Sequence, residues 1–302
     1  MVDFFQKNGY LIIKNFHSKK LISQIKKDIF DISYELYKKY NPKIISKKYN
    51  SENFDIFVLK AKQENLTEMT TSIYDACKKI RGFYQIMGNG KLLELAGKIM
   101  GSSKIGLLPR GFGMRIDYPK DKYWKARLHQ DYTSQLGSPN GIVMYTALRD
   151  VTPKLGPVVL YKDSHKHGVF PTKTNMEKVK KKITYDPYYI DIKKSLFKKF
   201  KVKHLKLNET DVGMFHFLLL HESGYNGTDK IRWSLIHRVF DFSNSQAIKQ
   251  QNQMIVSEGH KDTAMVVDSI GNVEKSQSIN QKIQLRLSEK PDGSADEEKE
   301  SK

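Results

Sequence analysis

Apolar positions in the first hundred residues recur mostly at three- and four-residue steps, and after about residue 104 they give way to short runs. Leu21, Ile22, Ile25, Ile29, Ile32, Leu36 and Tyr37 follow the helical period. Ser18 supplies a capping oxygen ahead of them, and Pro42 limits how far that helix can run. Met69, Ile73, Ala76, Cys77, Ile80, Phe83, Tyr84 and Met87 predict a second helical stretch over 66–88. A shorter helix covers about 90–100 and is closed by Gly101. Residues 3–16 read as a short helix and then a strand, with Gly9 at the left-handed position after the helix. Beyond 104, strand-like segments fall at 105–108, 111–117, 125–130, 141–148, 157–161, 202–207, 211–220 and 231–240, punctuated by Gly, Pro, Asn and Asp. This order predicts a mainly β fold with flanking helices, a barrel or a sandwich.

A single domain is expected over 1–287, with helical support over about 1–103 and a β core over about 104–245. The Lys- and Tyr-rich stretch 175–201 interrupts the core as an insertion that reads equally as a lid or a solvated helix. Residues 288–302 lack apolar periodicity, which predicts a disordered polar tail.

Composition narrows the class. With 39% hydrophobic and 11% aromatic residues in a chain of 302, global disorder is excluded. No apolar stretch reaches the roughly 18 residues of a membrane span. The opening MVDFFQKNGY carries an acid at position 3 and no basic segment ahead of an apolar one, unlike a secretory signal. The lone Cys77 excludes an intrachain disulfide framework and a multi-cysteine zinc site. A cytoplasmic protein is the expectation. The net charge of +19 raises nucleic acid as a partner, yet eight basic residues are Arg and 44 are Lys. Arg is the residue that reads phosphates and bases bidentately. A solvated Lys-rich surface is the better reading, and no nucleic-acid partner is expected. The same field favours an anionic small-molecule substrate.

Three widely spaced pieces carry candidate chemistry. His129-Gln130-Asp131 places a histidine and a carboxylate at i and i+2, which share one face of a strand. An imidazole nitrogen and a carboxylate oxygen together suit a borderline divalent metal such as Fe(II). Alone the tripeptide is common. His221 lies 92 residues later, at the end of the run 214–220, and could complete a two-histidine, one-carboxylate triad that leaves positions open for a cosubstrate and O2. Viewed alone, it reads rather as a satisfied core histidine. Arg232 follows eleven residues on. An Arg inside a barrel is costly unless a carboxylate meets it. That carboxylate could come from a dicarboxylate cosubstrate, through a bidentate pair, or from a protein acid such as Asp241. Ser234 faces the same way as Arg232. Arg115 reads as a pocket residue or a structural one, and Gln130 points away from its ligand neighbours. His165 reads as a turn residue, His216 and His237 as core or surface, and Trp124 and Trp233 as packing residues.

Order and flanks together resemble the phytanoyl-CoA dioxygenase family of Fe(II)- and 2-oxoglutarate-dependent oxygenases. FFQKNGYLIIKNF (4–16) is similar to the family's N-terminal segment. GIVMYTALRDVTPKLGPVVLYKDSHKHG (141–168) resembles its strand and Ser-His turn through Leu148, Asp150, Val151, Thr152, Gly156, Pro157, Ser164, His165 and Gly168. The segment from His221 matches through Ser223, Asn226, Arg232 and Ser234. The resemblance spans about 4–241. Asp163 replaces the usual Gly before the Ser-His pair, and Tyr145 stands where Trp is frequent. The resemblance implies a double-stranded β-helix, a jelly-roll, cupin-like core. It implies His129, Asp131 and His221 as iron ligands, and Arg232, Ser223 and Ser234 as holders of the distal carboxylate of 2-oxoglutarate. It implies a dioxygenase that hydroxylates a small molecule while 2-oxoglutarate is decarboxylated to succinate and CO2. Retention of Asp131 argues against a halogenase, which needs that ligand position vacated. A metal-binding jelly roll with other chemistry and a non-enzymatic binding protein are the alternatives. Substrate and oligomeric state are not written in the sequence.

Overall fold

The computed structural model describes residues 1–44, 48–107, 113–135, 138–183, 188–190 and 194–243. The predicted tail at 288–302 lies outside them. Helix α1 (Val2–Asn8) ends at Gly9, whose φ of 77° is the left-handed turn into β1 (Tyr10–Ile13). Helix α2 (Lys19–Tyr40) starts where Ser18 accepts from the Leu21 N–H at 3.2 Å and ends before Pro42. Then come α3 (Ile56–Gln63), α4 (Thr67–Cys77), α5 (Arg81–Met87) and α6 (Gly90–Met100). The stretch 66–88 is thus two helices rather than one, because Ile80 is extended at φ −62°, ψ 130° and restarts the chain in a new direction. Helix α3 had no counterpart in the sequence pattern.

The β part comprises β2 (Ile105–Leu107), β3 (Gly113–Asp117), the short α7 (Tyr132–Gln135), β4 (Gly141–Ala147), β5 (Val158–Tyr161) and β6 (Thr172–Thr174). It continues through α8 (Met176–Lys180), β7 (Tyr188–Ile190), α9 (Lys194–Phe197), β8 (Val202–Leu205), β9 (Val212–His216), β10 (His221–Glu222) and β11 (Arg232–Asp241). A six-stranded sheet runs β1-β9-β4-β11-β2 with β3 also on β11, and a three-stranded sheet runs β10-β5-β8. The named pairs are all antiparallel.

Strand alternation sorts the side chains into layers. Val143, Tyr145, Ala147 and Phe215 of the large sheet meet Val158, Leu160 and Leu205 of the small one in a single apolar cluster. Gly213 permits this approach, since a Cβ there would meet the Leu205 side chain at 2.9 Å. Trp233 and Leu235 point the other way, into the cluster formed by α2 to α5. Ile142, Met144, Val212, Met214 and Val239 pack with α1 and α6. The large sheet is therefore buried on both faces: helices cover one, and the small sheet covers part of the other. The insertion contributes Ile190 and Phe200 to a cluster with Tyr161 and Leu220, so this part of it packs on the small sheet's outer side. Of the described helices, none is long and apolar enough to cross a membrane.

His17 and His237 lie between the large sheet and the helices. His17 Nε2 is 2.9 Å from Thr146 Oγ1, whereas both nitrogens of His237 are buried without a hydrogen-bond partner. Burial pushes His17 down to about 4 and His237 down to about 3. The unfolded chain takes up these protons near pH 6.5, so stability held above that pH is lost as pH falls toward 3–4, by up to about 1.4 kcal/mol per pH unit for each histidine. The urea midpoint should be lower at pH 5.5 than at pH 7.5, and His237→Leu should flatten that dependence.

Candidate active site

The segment carrying His129 is not a strand. Residues 125–130 contribute only an isolated antiparallel bridge, His129 to His221. Each histidine donates its backbone N–H to the other's carbonyl at 3.0 Å, and the Ser223 N–H donates to the Ala126 carbonyl at 3.0 Å. His221 is anchored in turn by pairing with Leu160 of β5. The bridge sets the two imidazoles side by side, with ring centroids 4.1 Å apart. Gln130 does point elsewhere: its Nε2 donates to the Gly168 and Leu218 carbonyls, and its Oε1 accepts from the Phe170 N–H. Ser164 Oγ donates to the Tyr161 carbonyl and accepts from the Leu220 N–H. The segments carrying the two histidines are thus held by buried polar side chains, Gln130 on the first and Ser164 beside the second.

His129, Asp131 and His221 converge, each offering an atom within 4.8 Å of the others. Asp131 Oδ1 lies 3.4 Å from His129 Nε2 and 3.9 Å from His221 Nε2. The opposite ring nitrogens face backbone carbonyls: His129 Nδ1 is 2.6 Å from that of Arg127, and His221 Nδ1 is 2.9 Å from that of Leu219. With the Nδ1 proton donated there, each Nε2 lone pair faces Asp131 Oδ1, the arrangement by which proteins aim metal-binding histidines. Burial pushes His221 down to about 3, so its ring is neutral. Burial also works against the charge of Asp131, yet Arg238 and the two imidazoles hold its carboxyl well below the usual range. Two imidazoles and an ionised carboxylate are a donor set for a borderline divalent metal. His129 is the most exposed of the three, so the site opens to solvent on its side.

Arg232 is fully buried and is met by a carboxylate, but that of Asp117 rather than Asp241. Register decides this, because Arg232 of β11 lies opposite Asp117 of β3. Its Nε donates to Asp117 Oδ2 at 3.2 Å and its Nη1 to the Gly224 carbonyl at 3.4 Å. Its Nη2 sits 2.8 Å from the same Oδ2 but outside hydrogen-bonding direction, which leaves N–H capacity buried and unmet. Arg115 Nε donates to Asp117 Oδ1 at 3.0 Å. Two guanidiniums therefore share one carboxylate. Burial opposes the Asp117 charge, while Arg115 and Arg232 hold its carboxyl below the usual range. Ser234 is hydrogen-bonded to the Tyr145 hydroxyl. Ser223 is buried one residue before Gly224. Alternation lines up Arg232, Ser234, Ile236 and Arg238 along the inner side of β11. Arg232 stands at one end of that stripe, and Arg238, bound to Asp131, at the other.

The model of the phytanoyl-CoA dioxygenase (PhyH) family matches residues 5–234. The chain belongs to the PhyH family. No curated protein matches it in sequence. Among solved structures, this PhyH-family chain is similar to the epimerase SnoN in complex with Fe3+, alpha ketoglutarate and nogalamycin RO. That likeness has 14% identity and a TM-score of 0.51, covering 80% of this chain and 82% of that one. EvdO2 from Micromonospora carbonacea var. aurantiaca, complexed with 2-oxoglutarate, matches at 12% identity and a TM-score of 0.49, over 80% and 89% of the two chains. EctD from S. alaskensis matches at 14% and 0.49, over 80% and 76%.

Outside the centre of this PhyH-family chain, His165 is the turn residue expected, with Nε2 3.1 Å from the Gln6 carbonyl. His237 is a core residue, whereas His216 is half-buried against the Phe5 and His165 rings. Trp233 packs in the helical core, whereas Trp124 is 48% exposed and meets the Tyr123 ring edge-on outside that core. Arg115 is structural to the extent that it pairs with Asp117. Sequence reasoning overlooked Asp117 and Arg238. Arg238 could have been found by continuing the alternation from Arg232 and Ser234. Asp117 could not, because its partner is set by strand register.

Proposed function

We propose that this PhyH-family chain is an Fe(II)- and 2-oxoglutarate-dependent dioxygenase that hydroxylates a small molecule. The observation that carries this reading is the convergence of two aimed imidazoles and one carboxylate oxygen within 4.8 Å of one another, with the buried, incompletely satisfied Arg232 on the inner side of β11. His129, Asp131 and His221 would hold the iron. Arg232 would hold the distal carboxylate of 2-oxoglutarate through its unmet N–H capacity, with Ser223 and Ser234 beside it. Bound iron with 2-oxoglutarate would supply O2 activation, the cosubstrate leaving as succinate and CO2. The chain's own share is to aim the ligands, orient the cosubstrate and keep water from the buried end of the stripe. The two facing sheets would be the halves of a double-stranded β-helix in one domain with the N-terminal helices. The Lys-rich surface favours an anionic substrate by steering.

The test is anaerobic addition of Fe(II) and 2-oxoglutarate to metal-free protein. A weak visible charge-transfer band is expected in the wild type. Arg232→Ala should need at least about tenfold more 2-oxoglutarate to reach it, as for loss of a charge-assisted bidentate pair. A folded wild type that shows no band overturns the reading. Succinate release with a product one oxygen heavier then tests hydroxylation itself.

A further inference from the structure

We propose that Arg238 is a positioning residue that makes Asp131 a one-oxygen metal ligand and so preserves the third open position on the metal. This rests on reading His129, Asp131 and His221 as the metal centre. A carboxylate can bind a divalent ion through one oxygen or both. The two oxygens of Asp131 are not equivalent here. Oδ1 faces the Nε2 atoms of both histidines, while Oδ2 accepts from Arg238 Nε at 2.8 Å. Such a charge-assisted bond is short and strong, and this one is largely removed from water, since the Asp131 side chain is 2% exposed and that of Arg238 16%.

The two partners also differ in how firmly they are held. Asp131 follows a segment with a single β-bridge and opens a turn. Arg238 stands on the longest strand, opposite Val143 of β4. The sheet therefore fixes the guanidinium, and the guanidinium fixes the carboxylate. Rotation of Asp131 to offer both oxygens would break the ion pair and take its carboxylate from a largely buried guanidinium. With one oxygen and two imidazoles, an octahedral metal keeps three positions. With two oxygens it keeps two, and a chelating 2-oxo acid would then leave no position for a third ligand.

The role differs from simple support. A cation beside the metal opposes its binding, so removing it should not weaken metal affinity as loss of a scaffold would. It should weaken the chelating cosubstrate, which must displace the second oxygen. The experiment uses the full chain loaded with Co(II), wild type beside Arg238→Met, with carbon-13 labelled aspartate. Metal-minus-apo infrared difference spectra read the spacing between the asymmetric and symmetric carboxylate stretches, which narrows when both oxygens bind. Expected are the wide, one-oxygen spacing in the wild type and the narrow one in Arg238→Met. Co(II) should be bound at least as tightly by the variant, and half-saturation with 2-oxoglutarate should rise by about tenfold. A narrow spacing in the wild type overturns the proposal even if the variant does not fold, and so does a variant with unchanged spacing and unchanged 2-oxoglutarate binding. A folded wild type that binds no Co(II) removes the metal centre itself, and the proposal with it.

Discussion

His221→Ala should lose metal and turnover together while remaining folded. The variant removes one of three donors and leaves His129 and Asp131 facing an empty corner. Loss of an outer-shell partner alone costs about 10–100-fold, so loss of a direct ligand should exceed about a hundredfold in 2-oxoglutarate turnover. The structural cost is smaller. His221 is neutral, and its side chain leaves behind one unpaired carbonyl, that of Leu219, worth about 1–3 kcal/mol. Asp131→Ala should behave differently. It also removes a ligand, but it strips Arg238 of its carboxylate, and breaking a buried pair from one side costs about 3–5 kcal/mol. Metal content and succinate formation, measured beside urea unfolding, separate the two. Stoichiometric iron in purified His221→Ala would exclude His221 as a ligand.

Asp117→Ala should give the largest stability loss near the site. Asp117 is the shared acceptor of Arg232 and Arg115, and Arg232 has no exposure through which water could replace it. Removing the carboxylate leaves a fully buried guanidinium uncompensated, at about 3–5 kcal/mol, or a fall in melting temperature of roughly 10 °C. Asp117→Asn keeps the shape and a hydrogen-bond acceptor, so its loss should be smaller. The cosubstrate gives the sharper readout. If its distal carboxylate docks on Arg232, 2-oxoglutarate should raise the melting temperature of Asp117→Ala more than that of the wild type, because it restores the missing anion. Equal shifts would place the cosubstrate carboxylate elsewhere.

The sequence by itself determined the local features. Gly9 and Gly101 end helices because only the chain's own turn is involved, and Ser18 caps α2 through a bond three residues away. The apolar period of α2 is equally local. The spacing of His129, Asp131 and His221, with its flanks, was enough to mark the candidate ligands through resemblance. The tertiary structure decided what depends on partners distant in the chain. The 66–88 period ran through the break at Ile80 because the residues on both sides are apolar, and only the packing of α4 and α5 turns the chain. The 125–130 run alternates like a strand but forms a single β-bridge, to His221, with one further backbone bond from the Ser223 N–H to the Ala126 carbonyl. The acid that meets Arg232 is Asp117, 115 residues away, and the base that meets Asp131 is Arg238, 107 residues away. The first pairing follows from the register of β11 against β3, the second from the bridge that carries the His129 segment to His221 beside the large sheet, and neither arrangement exists before the sheets assemble.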